Sequence, residues 1–186
     1  FIIGRSGGRT PKVETSALEA GIRAIVRTWD DEMAEAAAAA GAPRTLVALA
    51  HRLPQSYRNS FTPETGLEDA GRIAALSPQN PIAIDFYRVE GDPQTHASLK
   101  IYHHGEPVGL SRRVPLLENM GFSVISERTF EIAGEAADGT AAPVFIHDME
   151  LSSGGGIDLS DEGALLEEVF LSIWRGETDN DAYAAL

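Results

Sequence analysis

The sequence predicts an α+β fold: an antiparallel sheet with helices on one face, extended by an N-terminal helical arm and a C-terminal helix. Three observations predict it. From residue 64 the hydrophobic patterns run helix, strand, strand, helix, strand, strand, helix. The strand segments alternate apolar and polar with a period of two, and a hairpin-type loop separates the first pair. Residues 16–53, by contrast, carry only helical periodicity.

Residues 1–15 read as a short strand and a loop, Ser6-Gly7-Gly8-Arg9-Thr10-Pro11. Ser16 with Glu19 forms a capping-box pattern, and Leu18, Ile22, Ile25, Trp29 and Met33 follow at spacings of three and four. Ala36 to Ala40 prolong that helix, and Gly41 with Pro43 stops it. A second helical piece runs from Arg44 to Leu53 before Pro54. After the loop Phe61-Thr62-Pro63-Glu64-Thr65, a short stripe of Leu67, Ala70, Ile73 and Leu76 predicts another helix. Ile82, Ile84 and Phe86 alternate with Ala83, Asp85 and Tyr87, and Leu99 and Ile101 with Lys100 and Tyr102. Glu90 to His96 joins these two strands, which are expected to keep one wet face. Ser111 is the expected cap of a helix carrying Val114, Leu117 and Met120, with Pro115 near its first turn and Gly121 at its stop. A third strand starts at Phe122 and runs to about Ile132, and a fourth spans Val144 to Leu151. Past Ser152 to Gly156, a helix from Ser160 to Arg175 has a broad apolar face of Leu165, Leu166, Val169, Phe170, Ile173 and Trp174. The order is that of a ferredoxin-like sandwich.

Composition sets limits. A chain of 186 residues, 43% hydrophobic, suffices for one core plus an extension, and not for an oxidoreductase with both nucleotide and substrate domains. Phe1 is not an initiator Met and Ala184-Ala185-Leu186 looks like the start of a helix, so a piece of a longer protein is expected. With no cysteine, disulfides, thiolate catalysis and Cys-ligated metals are excluded. The net charge of −13 argues against nucleic acid and anionic membranes as partners. No apolar run reaches the length of a membrane span.

No constellation predicts a catalytic, cofactor or metal site. The glycine clusters Gly4 to Gly8 and Gly154 to Gly156 lack the spacing of a dinucleotide fingerprint. His103 and His104 are adjacent on a strand and point to opposite faces, as do His147 and Asp148, so neither pair readily shares a metal. These, with His51 and His96, read as surface or edge histidines. Lys100, the only lysine besides Lys12, reads with Tyr102 as a solvated pair. Arg112 and Arg113 read as solvated arginines that could meet a carboxylate or an acidic neighbour. Trp29 and Trp174 read as core or docking contacts. Tyr57 and Phe61, flanking Arg58-Asn59-Ser60, have no assignable chemistry.

The longer strings are more specific. Pro54-Gln55-Ser56-Tyr57-Arg58-Asn59-Ser60-Phe61-Thr62-Pro63 resembles a segment of the large NAD-dependent glutamate dehydrogenases of bacteria. Leu99-Lys100-Ile101-Tyr102 with Glu106-Pro107, the stretch Val114 to Arg128, Phe145-Ile146-His147-Asp148, and Trp174 to Asp181 are similar to four further segments of that family, in the same order. The resemblance implies an ACT-like domain upstream of a catalytic domain. It divides the chain into 1–15, the end of a preceding domain and a linker; 16–59, a helical arm; 60–157, the ACT-like domain; and 158–186, a C-terminal helix leading to the catalytic domain. It further implies a cytoplasmic homo-oligomer that oxidatively deaminates L-glutamate with NAD. The NAD and glutamate sites would lie beyond Leu186, and the chain itself would hold no cofactor. Where the family often has an acid and an apolar residue, this chain has Arg112-Arg113.

Two functions follow as alternatives. One is a non-catalytic regulatory and assembly segment that packs on other domains and subunits. The other is a sensor of an amino-acid effector, although the glycine expected near such a site is missing. A fragment with enzyme activity of its own is the third and least supported reading.

Overall fold

The computed structural model describes residues 27–134 and 142–177, with Thr15, Ser16 and Glu19. Thr15 and Ser16 are both helical, so Ser16 does not open a helix as its spacing to Glu19 predicts. Leu18, Ile22 and Ile25, like the Gly4 to Gly8 cluster, lie outside the described residues. A helix, α1, begins at Trp29 and ends at Ala40. Thr28 caps it: the Asp31 amide donates to its Oγ1 at 3.2 Å, and the Thr28 amide donates to Asp31 Oδ2 at 3.0 Å. Gly41, at φ +60°, closes it in the left-handed region. Three further helices follow, α2 (Arg44–Ala50), α3 (Gln55–Arg58) and α4 (Pro63–Ala74), the last capped by Thr62 with Pro63 in its first turn.

The sheet has four strands: β1 (Ile82–Tyr87), β2 (His96–His104), β3 (Phe122–Ile132) and β4 (Val144–Ser153). Helix α5 (Leu110–Asn119) links β2 to β3, and α6 (Leu159–Arg175) follows β4. The spatial order is β1-β2-β4-β3, every neighbouring pair antiparallel. Strands β2 and β3 are therefore parallel with β4 inserted between them, a split β-α-β unit. A bulge between Val124 and Ser126 shifts the β3 register. The cap expected at Ser111 sits at Gly109, and Pro115 falls inside α5 rather than in its first turn. Gly121 supplies the positive φ that turns the chain into β3.

The fold class is the expected α+β sandwich, with one change: both faces of the sheet are covered. On one face α5 and α6 bury Leu116, Leu117, Met120, Leu166, Phe170 and Ile173 against Ile84, Leu99, Ile101 and Met149. On the other, Met33, Leu53 and Tyr57 of the arm, with Leu67 and Ile73 of α4, close over Tyr102, Phe130, Ile132 and Ile146. Lys100 and Tyr102, expected on a wet face, are 1% and 0% exposed. Alternation reports that two faces differ in chemistry, and a later-packed layer can bury the polar one. Helices α1 and α4 approach closely at Gly66, where a Cβ would stand 2.9 Å from the Trp29 ring.

Candidate functional site

The sheet's register assembles a charged row that no single strand reveals. Asp85 pairs across to Lys100, Lys100 to Asp148, and Asp148 to Arg128, so charges alternate over all four strands on the arm-facing side. Helix α4 places Asp69 over this row, 1% exposed. Lys100 Nζ donates to Asp69 Oδ2 at 2.7 Å. The Tyr57 hydroxyl donates to the same oxygen at 2.5 Å, and Tyr102 to Oδ1 at 2.7 Å. The ammonium also lies 3.9 Å from the Phe61 ring centre and 5.2 Å from that of Tyr87. Beside this hub, Tyr87 donates to Asp148 Oδ1 at 2.5 Å and Arg128 to Oδ2 at 2.6 Å. Arg72 of α4 reaches Asp85 at 2.6 Å.

Burial governs the protonation of these groups. It pushes the phenols of Tyr57, Tyr87 and Tyr102 far up, and the adjacent carboxylates push the same way, so all three remain neutral donors. Burial also raises Asp85, against the pull of Arg72. Lys100, with the Asp69 carboxylate and aromatic faces around it, is a paired and enclosed side chain.

A second polar cluster lies on the opposite face, beneath α5. Arg113 is 3% exposed, not solvated as expected. It donates to the Val108 carbonyl and to Glu127. His147, 2% exposed, accepts the Val108 amide at Nε2 at 3.0 Å. That bond occupies the Nε2 lone pair, which assigns the proton of the neutral ring to Nδ1. Nδ1 faces Thr129 Oγ1 at 3.0 Å and Glu127 Oε1 at 3.2 Å, with the Arg113 guanidinium 2.9 Å away. Burial and then the Arg113 charge lower the His147 pKa. Burial works to raise Glu127, but bonds from Arg113 and Thr129 outweigh it and the carboxyl is lowered.

The His147 arrangement sets a pH dependence. Its folded pKa is depressed below the ordinary 6.5, so the unfolded chain binds the proton more readily. The contribution is complete above pH 6.5 and is lost as pH falls below it, by up to about 1.4 kcal/mol per pH unit. Urea melts between pH 5 and 7.5 are expected to show that slope, and His147→Gln to flatten it. Arg113 from α5, Glu127 and Thr129 from β3 and His103 from β2 are the groups that face the ring or act on it.

Other candidates are placed as follows. His103, 8% exposed and so not a surface residue, contacts the Glu106 carbonyl through Nδ1 at 2.8 Å. His51 is exposed and pairs with Asp30 at 3.0 Å. Arg112 lies 3.4 Å from the Trp174 ring centre, and Trp174 packs partly buried against the core cluster. Trp29 donates to the Phe61 carbonyl at 3.2 Å and carries Arg58 on its face. Gly154 to Gly156 form a loop before Asp158, which caps α6. Among the described residues no group of three or more His, Asp or Glu is placed to hold a metal ion. No helix among them is long and apolar enough to cross a membrane.

Tyr57, Phe61, Lys100, Tyr102, Glu127, Arg128, His147 and Asp148 all come from strings that resemble one family, and all converge on these two networks. Comparison with known proteins agrees with the resemblance. Residues 81–164, from just before β1 into α6, match the family model of the glutamate dehydrogenase ACT3 domain. Over these residues the chain is similar to that domain. The matched stretch thus contains the whole sheet and α5, while the arm and α4, which complete the sheet's second face, precede it.

The chain is also 31% identical over 192 residues to the NAD-specific glutamate dehydrogenase of Halomonas elongata, a match spanning all of this chain and 12% of that protein. The corresponding enzyme of Pseudomonas aeruginosa is 27% identical over 182 residues, 94% of this chain and 11% of its own length. That of Mycobacterium tuberculosis is 27% identical over 194 residues, 97% of this chain and 12% of its own length. The chain thus spans about an eighth of the length of these relatives or slightly less.

Proposed function

We propose that this chain is the regulatory and assembly segment of an NAD-dependent glutamate dehydrogenase. In this reading the complete protein converts L-glutamate, NAD and water to 2-oxoglutarate, ammonium and NADH. It works as a cytoplasmic homo-oligomer, and its NAD and glutamate sites lie outside these residues. The observation that carries the reading is the fate of Lys100 and Asp69. They are the pair that could have done acid–base chemistry, and they are sealed between arm and sheet with aromatic rings around them. A group so enclosed holds two layers together and meets no substrate. Arg113 and His147 are enclosed in the same way on the other face.

The test has two arms. The purified chain, given glutamate and NAD, is expected to produce no NADH by absorbance at 340 nm. The complete enzyme without residues 27–177 is expected to lose its defined oligomer in sedimentation velocity. NADH production by the chain, or an unchanged oligomer after the deletion, overturns the proposal.

One observation favours the sensor as a second reading. Past the charged row, the arm-facing side opens into a cavity of about 410 Å³ lined by Tyr87, Ser98, Ser126, Arg128, Asp148 and Glu150, roomy enough for an amino acid. Calorimetric titration with aspartate, arginine and glutamate separates the readings: saturation by one of them supports the sensor, and silence supports assembly alone. An effector would regulate only by binding two states of the enzyme unequally.

A further inference from the structure

We infer that the groove between α1, α2 and α4 seats a basic amphipathic helix from a part of the complete protein outside these residues. The inference rests on the assembly reading and names the contact through which it works. The groove holds about 590 Å³, with Ala39, Leu46, Leu67 and Gly71 along it and Glu64 and Glu68 on its wall.

Three features fit that occupant. Gly71 lies inside α4, where glycine weakens a helix relative to alanine. Among the described residues a Cβ there would meet nothing within 4 Å, and none of them requires the glycine. Gly66, earlier in the same helix, is different, because the Trp29 ring fills the space its Cβ would take. A bare position on an apolar floor lets a second backbone approach closely.

The second feature is charge. Glu64 and Glu68 are exposed and four residues apart, a like-charge spacing that destabilises a helix unless a cation bridges it. The third is the end of α1 at the groove. Its last turn has no basic residue, so the negative end of its dipole is left without a cation of its own. The net charge of −13 extends the same bias. A helix with one apolar stripe and flanking Lys or Arg satisfies floor and wall together, lying in the groove as helices pack ridge into groove. The relatives' much greater length supplies chain from which such a helix can come.

The test places a photo-crosslinking phenylalanine derivative at Ala39, exposed at the groove, in the complete enzyme. Irradiation is expected to link it to a peptide outside residues 1–186 in which Lys or Arg flank apolar residues at helical spacing. Glu64→Lys with Glu68→Lys should cut the yield about tenfold or more, since like charges now face each other. Gly71→Leu should abolish the cross-link while leaving the unfolding temperature of the 186-residue chain undiminished. That melt separates a blocked groove from a misfolded domain. A link only to a second copy of this groove, a link to an acidic or non-helical segment, or no link at all overturns the inference. If the deletion of residues 27–177 still dissolves the oligomer in that event, the assembly reading stands and only this contact is wrong.

Discussion

Asp69→Ala is expected to destabilise the chain by about 3–5 kcal/mol, the cost of leaving a buried charge without its partner. Lys100 loses its carboxylate at 2.7 Å, and Tyr57 and Tyr102 lose the acceptor for their hydroxyls. The rings of Phe61 and Tyr87 keep some hold on the ammonium, which places the value toward the lower end of that range. Lys100→Met should cost less, because Asp69 retains two phenolic donors and the methionine fills a similar volume. The double variant Asp69→Leu/Lys100→Met should recover part of the loss, since an apolar pair of like volume often matches a buried ion pair. Urea denaturation followed by far-ultraviolet circular dichroism measures all three. A loss under about 1 kcal/mol for Asp69→Ala would place the pair in solvent and remove the basis for saying that it holds two layers together.

Phe170→Ala is the second large effect, expected to cost about 3–5 kcal/mol. The ring is 0% exposed and stacks with Trp174 at 6.4 Å between centres. It belongs to the same buried cluster as Leu99, Ile101 and Met149 of the sheet. Helix α6 is thus part of the sheet's own core rather than a connecting segment that happens to follow it. The variant should lower the urea midpoint in one cooperative step with the slope unchanged. Two separate steps would mean that α6 unfolds independently, and the core described for that face would then be wrong.

Much of the fold was legible because its signals are local. Period-two alternation marked β1 and β2, Gly121 marked the turn into β3, and the apolar stripe of α6, the exposed Leu165 apart, marked its buried face. What escaped was set by distant contacts. Lys100 beside Tyr102 reads as a wet face until Asp69, 31 residues earlier in the chain, closes over it. Arg113 reads as solvated at a helix start until Glu127 and the Val108 carbonyl accept from its two terminal nitrogens. One miss did have a local signal. Thr28 and Asp31 stand three apart, the spacing of a capping box, but the stripe from Leu18 to Met33 runs through them without a break. An amphipathic stripe records which side faces the core, not whether the backbone is continuous.

The candidate site was less legible than the fold. Its row of alternating charges needs three strand registers at once, and residue spacing along one strand contains none of them.

The chain has two lysines, Lys12 and Lys100, and the second reports on an event inside the fold. Lys100 is shut beneath Phe61 and Asp69, so an amine-selective acylating agent can modify it only when α4 and the loop before it lift from the sheet. Its rate of acylation in the native protein is therefore a clock for that opening.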